Sequence, residues 1–263
     1  MRIKISVPTN ALHSDLRQAL HLAVQMGVRG VQFDLRTEIV GARLGESARR
    51  QLLYELKERD LEPASGHFPL KRPLIDPEHL DQRLTAIHDA ITTASQLRIR
   101  RLTLRPGDLP TADSKERETL IQILGELAGA GDRHGVILCL LPGGDPASEW
   151  KPVLKAINQG LVNIDGDFSD WVLNGLPYLG ELRDYFGVLG HVEGRDATQG
   201  SGGSGREVPI GRGTVDWDEV AALLNEMDYT GWINVQRTIG TDRIGDINRG
   251  VQYLKQLFLE GMI

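Results

Sequence analysis

Side chains that can bind a metal ion or move a proton recur at the ends of short apolar segments in this sequence. They are carboxylates, imidazoles and one carboxamide: Asp34, His67, Asp165, His191, Glu193 and Gln236. Two carboxylates and an imidazole can hold a divalent cation such as Mn²⁺, Mg²⁺ or Zn²⁺, and the same groups can act as general acids and bases. Asp165 and Glu193 form the best pair, because they end consecutive predicted strands and point to the same side.

Arginines follow several of the same segments: Arg36, Arg72, Arg105, Arg195 and Arg237. Guanidinium groups could clamp a phosphate or carboxylate of an anionic ligand through paired hydrogen bonds. For any one of them, an ion pair with a neighbouring surface acid is an equally good interpretation. Arg105 differs, because the alternation of its strand places it inside the fold. The residues predicted to bind a ligand are therefore Asp34, Arg105, Arg195, Asn234 and Arg237.

The elements that must position these residues are eight repeats of a short strand and an amphipathic helix. The predicted strands are 3–7, 31–34, 63–67, 101–105, 136–141, 161–165, 187–193 and 232–236. The stretches between them carry apolar residues at helical spacing, and Asp76-Pro77 is a typical helix start. The pattern predicts an α/β fold, a (β/α)8 or TIM barrel, as one domain over residues 1–263. A doubly wound sheet is the alternative, which the missing GxGxxG after the first strand disfavours.

Side chains alternate across a strand, so each predicted strand directs one set toward the helices and the other toward the barrel axis. The second set is polar in seven of eight strands: Lys4 and Ser6, Gln32 and Asp34, Ser65 and His67, Thr103 and Arg105, Asn163 and Asp165, His191 and Glu193, Asn234 and Gln236. In the fifth strand it is Cys139 and Leu141. A purely structural barrel core would be filled by Val, Ile and Leu. The polar interior predicts a functional cavity at the carboxyl-terminal mouth, and the alternative is a polar network that satisfies itself.

Composition narrows the classes of partner. Asp and Glu number 36 against 30 Lys and Arg, and the net charge of −6 opposes nucleic-acid binding. The single Cys139 cannot form an internal disulfide, and no apolar run has the length of a membrane span. We expect a cytoplasmic protein with neither a nucleic-acid nor a membrane partner. The Gly/Ser segment 200–205 is expected to be a loop, and Trp217, Tyr229 and Trp232 could pack in the core or against a second subunit, which leaves the oligomeric state open.

Five segments carry a family resemblance. They are AVQMGVRGVQFD, the His-Phe-Pro stretch of the third strand, NIDGDF, GHVEGRDA and VPIGRGTVDWDEVAALLNEMDYTGWINVQR. Through them the chain resembles, over nearly its full length, the sugar phosphate isomerase/epimerase family of xylose-isomerase-like barrels. The resemblance implies a protein of carbohydrate metabolism that binds a small, sugar-like or polyol ligand, which could be anionic, at the barrel mouth.

The resemblance also implies four metal ligands, which are a Glu, an Asp, a His and a Glu ending strands five to eight. Asp165 matches the Asp, whereas Leu141, Glu193 and Gln236 occupy the other three positions and His191 precedes Glu193 by two residues. In family members that isomerise or epimerise sugars, the two Glu positions are also the acid/base pair. Leucine can neither ligate nor accept a proton, and glutamine can ligate through its oxygen but takes up no proton at neutral pH.

Two hypotheses remain open from the sequence. In the first, the protein is an isomerase or epimerase with a rearranged site. Glu193 is the base or a metal ligand beside Asp165 and Gln236, His67 or His191 is the partner acid, and Arg105 clamps an anionic substrate. In the second, it is a non-catalytic relative that keeps the pocket and binds a ligand or a partner. The endonuclease relatives of this barrel are a third interpretation, which the missing ligands and the acidic charge disfavour.

Overall fold

The computed structural model describes residues 4–41, 44–200 and 205–260. The strands in chain order are β1 (Lys4–Pro8), β2 (Gly30–Asp34), β3 (Glu62–His67), β4 (Arg101–Leu104), β5 (Ile137–Leu140), β6 (Val162–Asp167), β7 (Leu189–Gly194), β8 (Asp196–Thr198), β9 (Arg206–Val208) and β10 (Trp232–Val235). Eight of them close into a parallel barrel in the order β1-β10-β7-β6-β5-β4-β3-β2. The predicted (β/α)8 barrel is confirmed, and its strand boundaries differ from the predicted ones by at most two residues.

Helices cover the outside of the barrel. They are α1 (Thr9–Leu12), α2 (Leu16–Gln25), α3 (Glu46–Glu58), α4 (Leu80–Gln96), α5 (Lys115–His134), α6 (Ala147–Ala156), α7 (Phe168–Leu173), α8 (Tyr178–Asp184), α9 (Trp217–Glu226) and α10 (Arg243–Glu260). Side-chain caps start several of them, because Asp15, Ser114 and Asp216 each accept a hydrogen bond from a backbone N–H in the first turn. None of the helices in these ranges combines the length and the apolar character that crossing a membrane requires.

Helix α4 begins later than the sequence indicated. The Asp76-Pro77 pair predicted its start, but the helix begins at Leu80, after His79 with a left-handed φ of 57°. The backbone N–H of Glu78 donates to Asp76 Oδ1 instead, so this aspartate caps a turn before the helix. The prediction of the start was wrong because a capping aspartate serves a turn as well as it serves a helix.

A two-stranded ribbon follows β7, where the sequence predicted only a loop. Strands β8 and β9 pair antiparallel, with Asp196 opposite Val208 and Thr198 opposite Arg206. Most of the Gly/Ser segment predicted as a loop, residues 201–204, lies outside the described residues. That residues 1–263 form one domain stays a prediction.

A bulge in the barrel aligns side chains for the site. Between β6 and β7 the register changes, because Ile164 lies opposite Leu189 and Asp165 opposite His191, so Gly190 is the extra residue. A Cβ atom on Gly190 would lie 2.7 Å from Cβ of Asn163. Glycine at this position therefore allows the two strands to approach and sets His191 beside Asp165.

Trp217, Tyr229 and Trp232 are buried, so within this chain they pack as core residues. Trp217 donates to Asp196 just beyond β7, whereas Tyr229 and Trp232 lie at the amino-terminal end of the barrel. Trp232 begins β10, and its ring lies so close to β2 that a Cβ atom on Gly30 would be 2.3 Å from its Cζ3. The Tyr229 hydroxyl donates to the Trp232 carbonyl at 2.9 Å. Tyr229 and Trp232 therefore fill part of the amino-terminal end of the barrel.

The contact between Gly30 and Trp232 predicts a specific cost of overpacking. We expect Gly30→Ala to lower the free energy of unfolding by about 1–3 kcal/mol, because the tryptophan ring or the strand must shift. Gly45→Ala is the matched control, since Gly45 has a φ of −62° and no atom within 4 Å of its added Cβ. Urea unfolding of both variants measures the difference, and equal stabilities would contradict this packing.

Candidate functional site

The barrel interior contains a hydrogen-bonded network centred on the Glu193 carboxylate. Gln32 Nε2 donates to Glu193 Oε1 at 2.9 Å, and Asn234 Nδ2 donates to Oε2 at 2.8 Å. Asn234 Nδ2 also donates to Gln32 Oε1 at 3.1 Å. Ser6 Oγ donates to Asn234 Oδ1 at 3.2 Å, and Gln32 Nε2 donates to Ser65 Oγ at 3.1 Å. All five side chains come from the polar set that strand alternation directed inward.

Strand register explains why these residues meet. Asn234 on β10 lies opposite Ser6 on β1 and opposite Glu193 on β7, so three neighbouring strands place polar side chains on one level. The amide hydrogens of Gln32 and Asn234 all have acceptors, and both Glu193 oxygens accept hydrogen bonds. This part of the interior satisfies itself, as the alternative interpretation of the sequence proposed.

Glu193 is poised between its two protonation states. Burial raises the pKa of its carboxyl to about 7, with a contribution from Asp165, whereas the hydrogen bonds from Gln32 and Asn234 lower it. The donors are arranged for the ionised form, since a protonated oxygen would face an N–H group. A buried carboxylate with a pKa near neutrality can take up and release a proton under physiological conditions.

Asp165 and His191 form a second buried pair beside Glu193. His191 Nδ1 lies 3.0 Å from Asp165 Oδ1 and 3.9 Å from Glu193 Oε1. Burial raises the pKa of Asp165 well above its usual value and lowers that of His191 to about 4, because it penalises both charged forms. Asp165 Oδ2 and His191 Nε2 are buried without a hydrogen-bond partner in the described part of the chain. Unlike the Glu193 network, this pair leaves two polar atoms unsatisfied.

The unsatisfied atoms belong to a group that fits a cation. Asp165, His191 and Glu193 each offer a ligand atom, and these atoms lie within 4.8 Å of one another. Two carboxylates and an imidazole are ligands of Mn²⁺, Mg²⁺ and Zn²⁺ sites. Gln236 follows the end of β10, and its backbone N–H donates to Gly194 O; that it binds a metal stays a prediction. Leu141, 5% exposed just beyond β5, brings no ligand atom.

His67 and Asp34 lie at the carboxyl-terminal ends of β3 and β2, opposite each other in the strand register. His67 is half-buried, and its Nδ1 lies 3.0 Å from Thr103 Oγ1. Burial lowers the pKa of His67 to about 4, so the ring is neutral at pH 7. Asp34 is buried and accepts hydrogen bonds from the Arg36 and Thr37 backbone N–H groups. Its carboxylate therefore holds the turn after β2.

The three arginines predicted to bind an anionic ligand all form ion pairs within the chain. Arg195 contacts Asp167 and Glu207, Arg237 contacts Glu207 and Asp246, and Arg105 contacts Asp170. Arg105 follows the end of β4 at Leu104, and 42% of its side chain is exposed. Its charge lowers the pKa values of His67 and Asp165, so the guanidinium lies near both of them. That Arg105 binds a ligand stays a prediction.

Two acids that organise the mouth escaped the sequence reasoning. Glu207 on β9 accepts from Arg195 Nη2 at 2.7 Å, Arg237 Nη1 at 3.0 Å and the Thr238 backbone N–H at 2.8 Å. Asp196 on β8 accepts from the backbone N–H groups of Gly211, Gly213 and Val215. Both belong to the ribbon, which no periodic pattern indicated. Asp167, by contrast, is a helix-cap candidate in the sequence, and it does cap α7 by accepting from the Asp170 backbone N–H.

Comparisons with known proteins agree with the architecture. The model of a family described as xylose isomerase-like TIM barrel matches residues 20–257. A xylose isomerase domain protein from Planctomyces limnophilus is 18% identical with a TM-score of 0.85, covering 97% of this chain and 96% of its own. A D-tagatose 3-epimerase-like protein is 17% identical with a TM-score of 0.80, covering 99% and 100%. A xylose isomerase-like TIM barrel protein from Mycobacterium smegmatis, in complex with magnesium, is 16% identical with a TM-score of 0.76, covering 94% and 89%.

At these identities the solved structures show the fold alone. No curated protein matches this sequence.

The raised pKa of Glu193 predicts a pH dependence of stability. Between its usual pKa of 4.5 and about 7, the native protein holds a proton that the unfolded chain has released. The free energy of unfolding therefore falls as pH rises through this window. From pH 5 to pH 8 the wild type should lose on the order of 2–3 kcal/mol more than Glu193→Gln, which has no such proton.

Chemical unfolding at a series of pH values measures the two profiles. Glu62→Gln is the control, because Glu62 is exposed at the opposite end of the barrel and should leave the profile unchanged. Parallel profiles for the wild type and Glu193→Gln would contradict the raised pKa.

Proposed function

The chain belongs to the xylose isomerase-like TIM barrel family, and we propose that it binds a small polyol or sugar-type ligand at the carboxyl-terminal mouth of its barrel. The observation that carries the proposal is the convergence of Asp165, His191 and Glu193 inside the barrel. In barrels of this class, ligands bind at the carboxyl-terminal ends of the strands. Similar solved structures named as D-tagatose 3-epimerase-like, L-ribulose 3-epimerase and 3-keto-D-glucoside 4-epimerase support a sugar as the ligand class.

We further propose proton transfer of the isomerase type, with Glu193 as the base. Its pKa of about 7 suits a group that accepts and returns a proton at neutral pH. His67 and His191 are the candidate partner acids, and both are neutral imidazoles at that pH. Leu141 and Gln236 replace the pair that the family resemblance assigns to acid/base work, so Glu193 would act as a single base. One base can move a proton between adjacent carbons on one face of a substrate, whereas inversion at a carbon needs proton transfer on both faces.

A divalent ion fits the same group of residues. Asp165, His191 and Glu193 would hold it, because each offers a ligand atom within 4.8 Å of the others. Bound there, it would polarise a carbonyl oxygen of the ligand. Gln236 would add its side-chain oxygen as a fourth ligand.

A non-catalytic role is the second candidate, and Leu141 and Gln236 favour it. Removal of acid/base assistance typically costs about 10²- to 10⁴-fold in rate, so losing both positions could leave a barrel that only binds. The hydrogen bonds that hold Glu193 to Gln32 and Asn234 would then serve stability alone.

Turnover measurements separate the two roles. The wild type should convert at least one member of a panel of aldoses, ketoses and their phosphates, assayed with and without Mn²⁺ or Mg²⁺. Glu193→Gln should lower kcat by about 10²- to 10⁴-fold while ligand affinity stays within a few-fold, and Glu62→Gln should match the wild type. Absence of turnover by the wild type on every member would support the non-catalytic role.

Restoring two carboxylates tests whether the barrel interior is the metal site. We expect the double variant Leu141→Glu, Gln236→Glu to bind Mn²⁺ at least tenfold more tightly than the wild type in calorimetric titrations, because it adds two anionic ligands to the group. Leu161→Glu is the control, since Leu161 is exposed and precedes β6 at the other end of the barrel. Unchanged affinity in a folded double variant would argue against a metal site here. Asp165→Asn, which should weaken any wild-type binding, covers the case in which the double variant does not fold.

A further inference from the structure

Thr103 and His67 form an isolated pair at the barrel mouth. They lie opposite each other in the register of β3 and β4, and Thr103 Oγ1 is 3.0 Å from His67 Nδ1. Thr103 is fully buried, whereas His67 remains partly accessible at the end of its strand. Within the described ranges, the Thr103 hydroxyl makes no other hydrogen bond.

The contact between Thr103 Oγ1 and His67 Nδ1 determines which nitrogen of the neutral His67 ring carries the hydrogen. A buried hydroxyl group that donates to nothing costs about 1–3 kcal/mol. If His67 Nδ1 carried the proton, it would donate to Thr103 Oγ1, and the hydroxyl hydrogen would have no acceptor. If Nδ1 is unprotonated, the hydroxyl donates to it, and the neutral ring then carries its hydrogen on Nε2.

We propose that Thr103 is a positioning residue, which donates its hydroxyl hydrogen to His67 Nδ1 and so fixes the tautomer that presents Nε2–H to the barrel mouth as a donor. Nε2 lies on the side of the ring away from the buried threonine. The charged and titratable groups that act on the ring are Asp34, Arg105 and His191. Burial keeps the pKa of His67 near 4, which leaves the ring uncharged at neutral pH.

The consequence for the ligand rests on the function proposed above. Arg105, Arg195 and Arg237 are already bound to acids of the chain, so their charges are compensated before any ligand arrives. His67 Nε2–H adds a neutral donor, which suits a hydroxyl or carbonyl oxygen. The ligand group that matches this donor is a hydroxyl or carbonyl oxygen of a polyol or ketose.

Nuclear magnetic resonance of histidine labelled with ¹⁵N tests the tautomer in the protein without ligand. At pH 7 the wild type should show His67 neutral and protonated at Nε2, with the signal assigned by its loss in His67→Gln. Thr103→Ser keeps the hydroxyl and should keep this pattern. Thr103→Val removes the donor and should shift the population toward Nδ1–H by at least several-fold. Thr93→Val is the matched control, because Thr93 is buried and donates instead to the Asp89 carbonyl.

A His67 ring protonated at Nδ1, or doubly protonated, in the wild type at pH 7 would overturn the proposal. An unchanged tautomer in Thr103→Val would overturn the role of Thr103. If Thr103→Val does not fold, the wild-type tautomer still decides the first point, and Thr103→Ala replaces the variant for the second. The measurement needs neither ligand nor turnover. A result that overturns the role of Thr103 can therefore be distinguished from a result that overturns the proposed function.

Discussion

A carboxylate on the axis of a closed barrel must be neutralised or hydrogen-bonded, and this constraint organises the interior of the protein. Glu193 is almost fully buried, and no cation of the described chain pairs with it. Leaving such a charge unpaired in a low-dielectric interior would cost several kcal/mol. Gln32 and Asn234 supply the hydrogen bonds, and Ser6 and Ser65 in turn satisfy those two amides. In addition to β7, the strands β1, β2, β3 and β10 thus carry small or amide side chains inside the barrel, where a purely structural barrel would carry aliphatic ones.

The same constraint accounts for the contrast between the interior and the mouth. In the interior, charge is controlled by amides and by raised or lowered pKa values, as at Glu193 and His191. At the mouth, charge is controlled by ion pairs, in which Glu207 joins Arg195 and Arg237 and so ties the ribbon to the ends of β7 and β10. Arginines that the sequence offers as ligand clamps therefore hold the architecture of the rim. The net charge of −6 says little about the charge of the barrel mouth, because arginines and acids are paired there.

Much of this arrangement could be predicted, and the failures have physical causes. The inward set was predicted because side chains alternate strictly within a strand, and Ser6, Gln32, Ser65, Glu193 and Asn234 do meet. The alternation missed Glu207, whose strand is three residues long. A strand of three residues is too short for the alternation of polar and apolar side chains to reveal it.

The sequence by itself determined the barrel, its strand boundaries and the polar character of its axis, because hydrophobic periodicity is a local property. It also showed that Leu141 and Gln236 stand where the family resemblance implies glutamates, because residue type is read directly from the sequence. Only the tertiary structure decided that Glu193 is held by two amides, that Asp165 and His191 keep two atoms unpartnered, and that Arg105, Arg195 and Arg237 are bound to acids. These are contacts between residues far apart in the chain. They depend on strand register, on the bulge at Gly190 and on the ribbon after β7, which residue types and spacing do not encode locally.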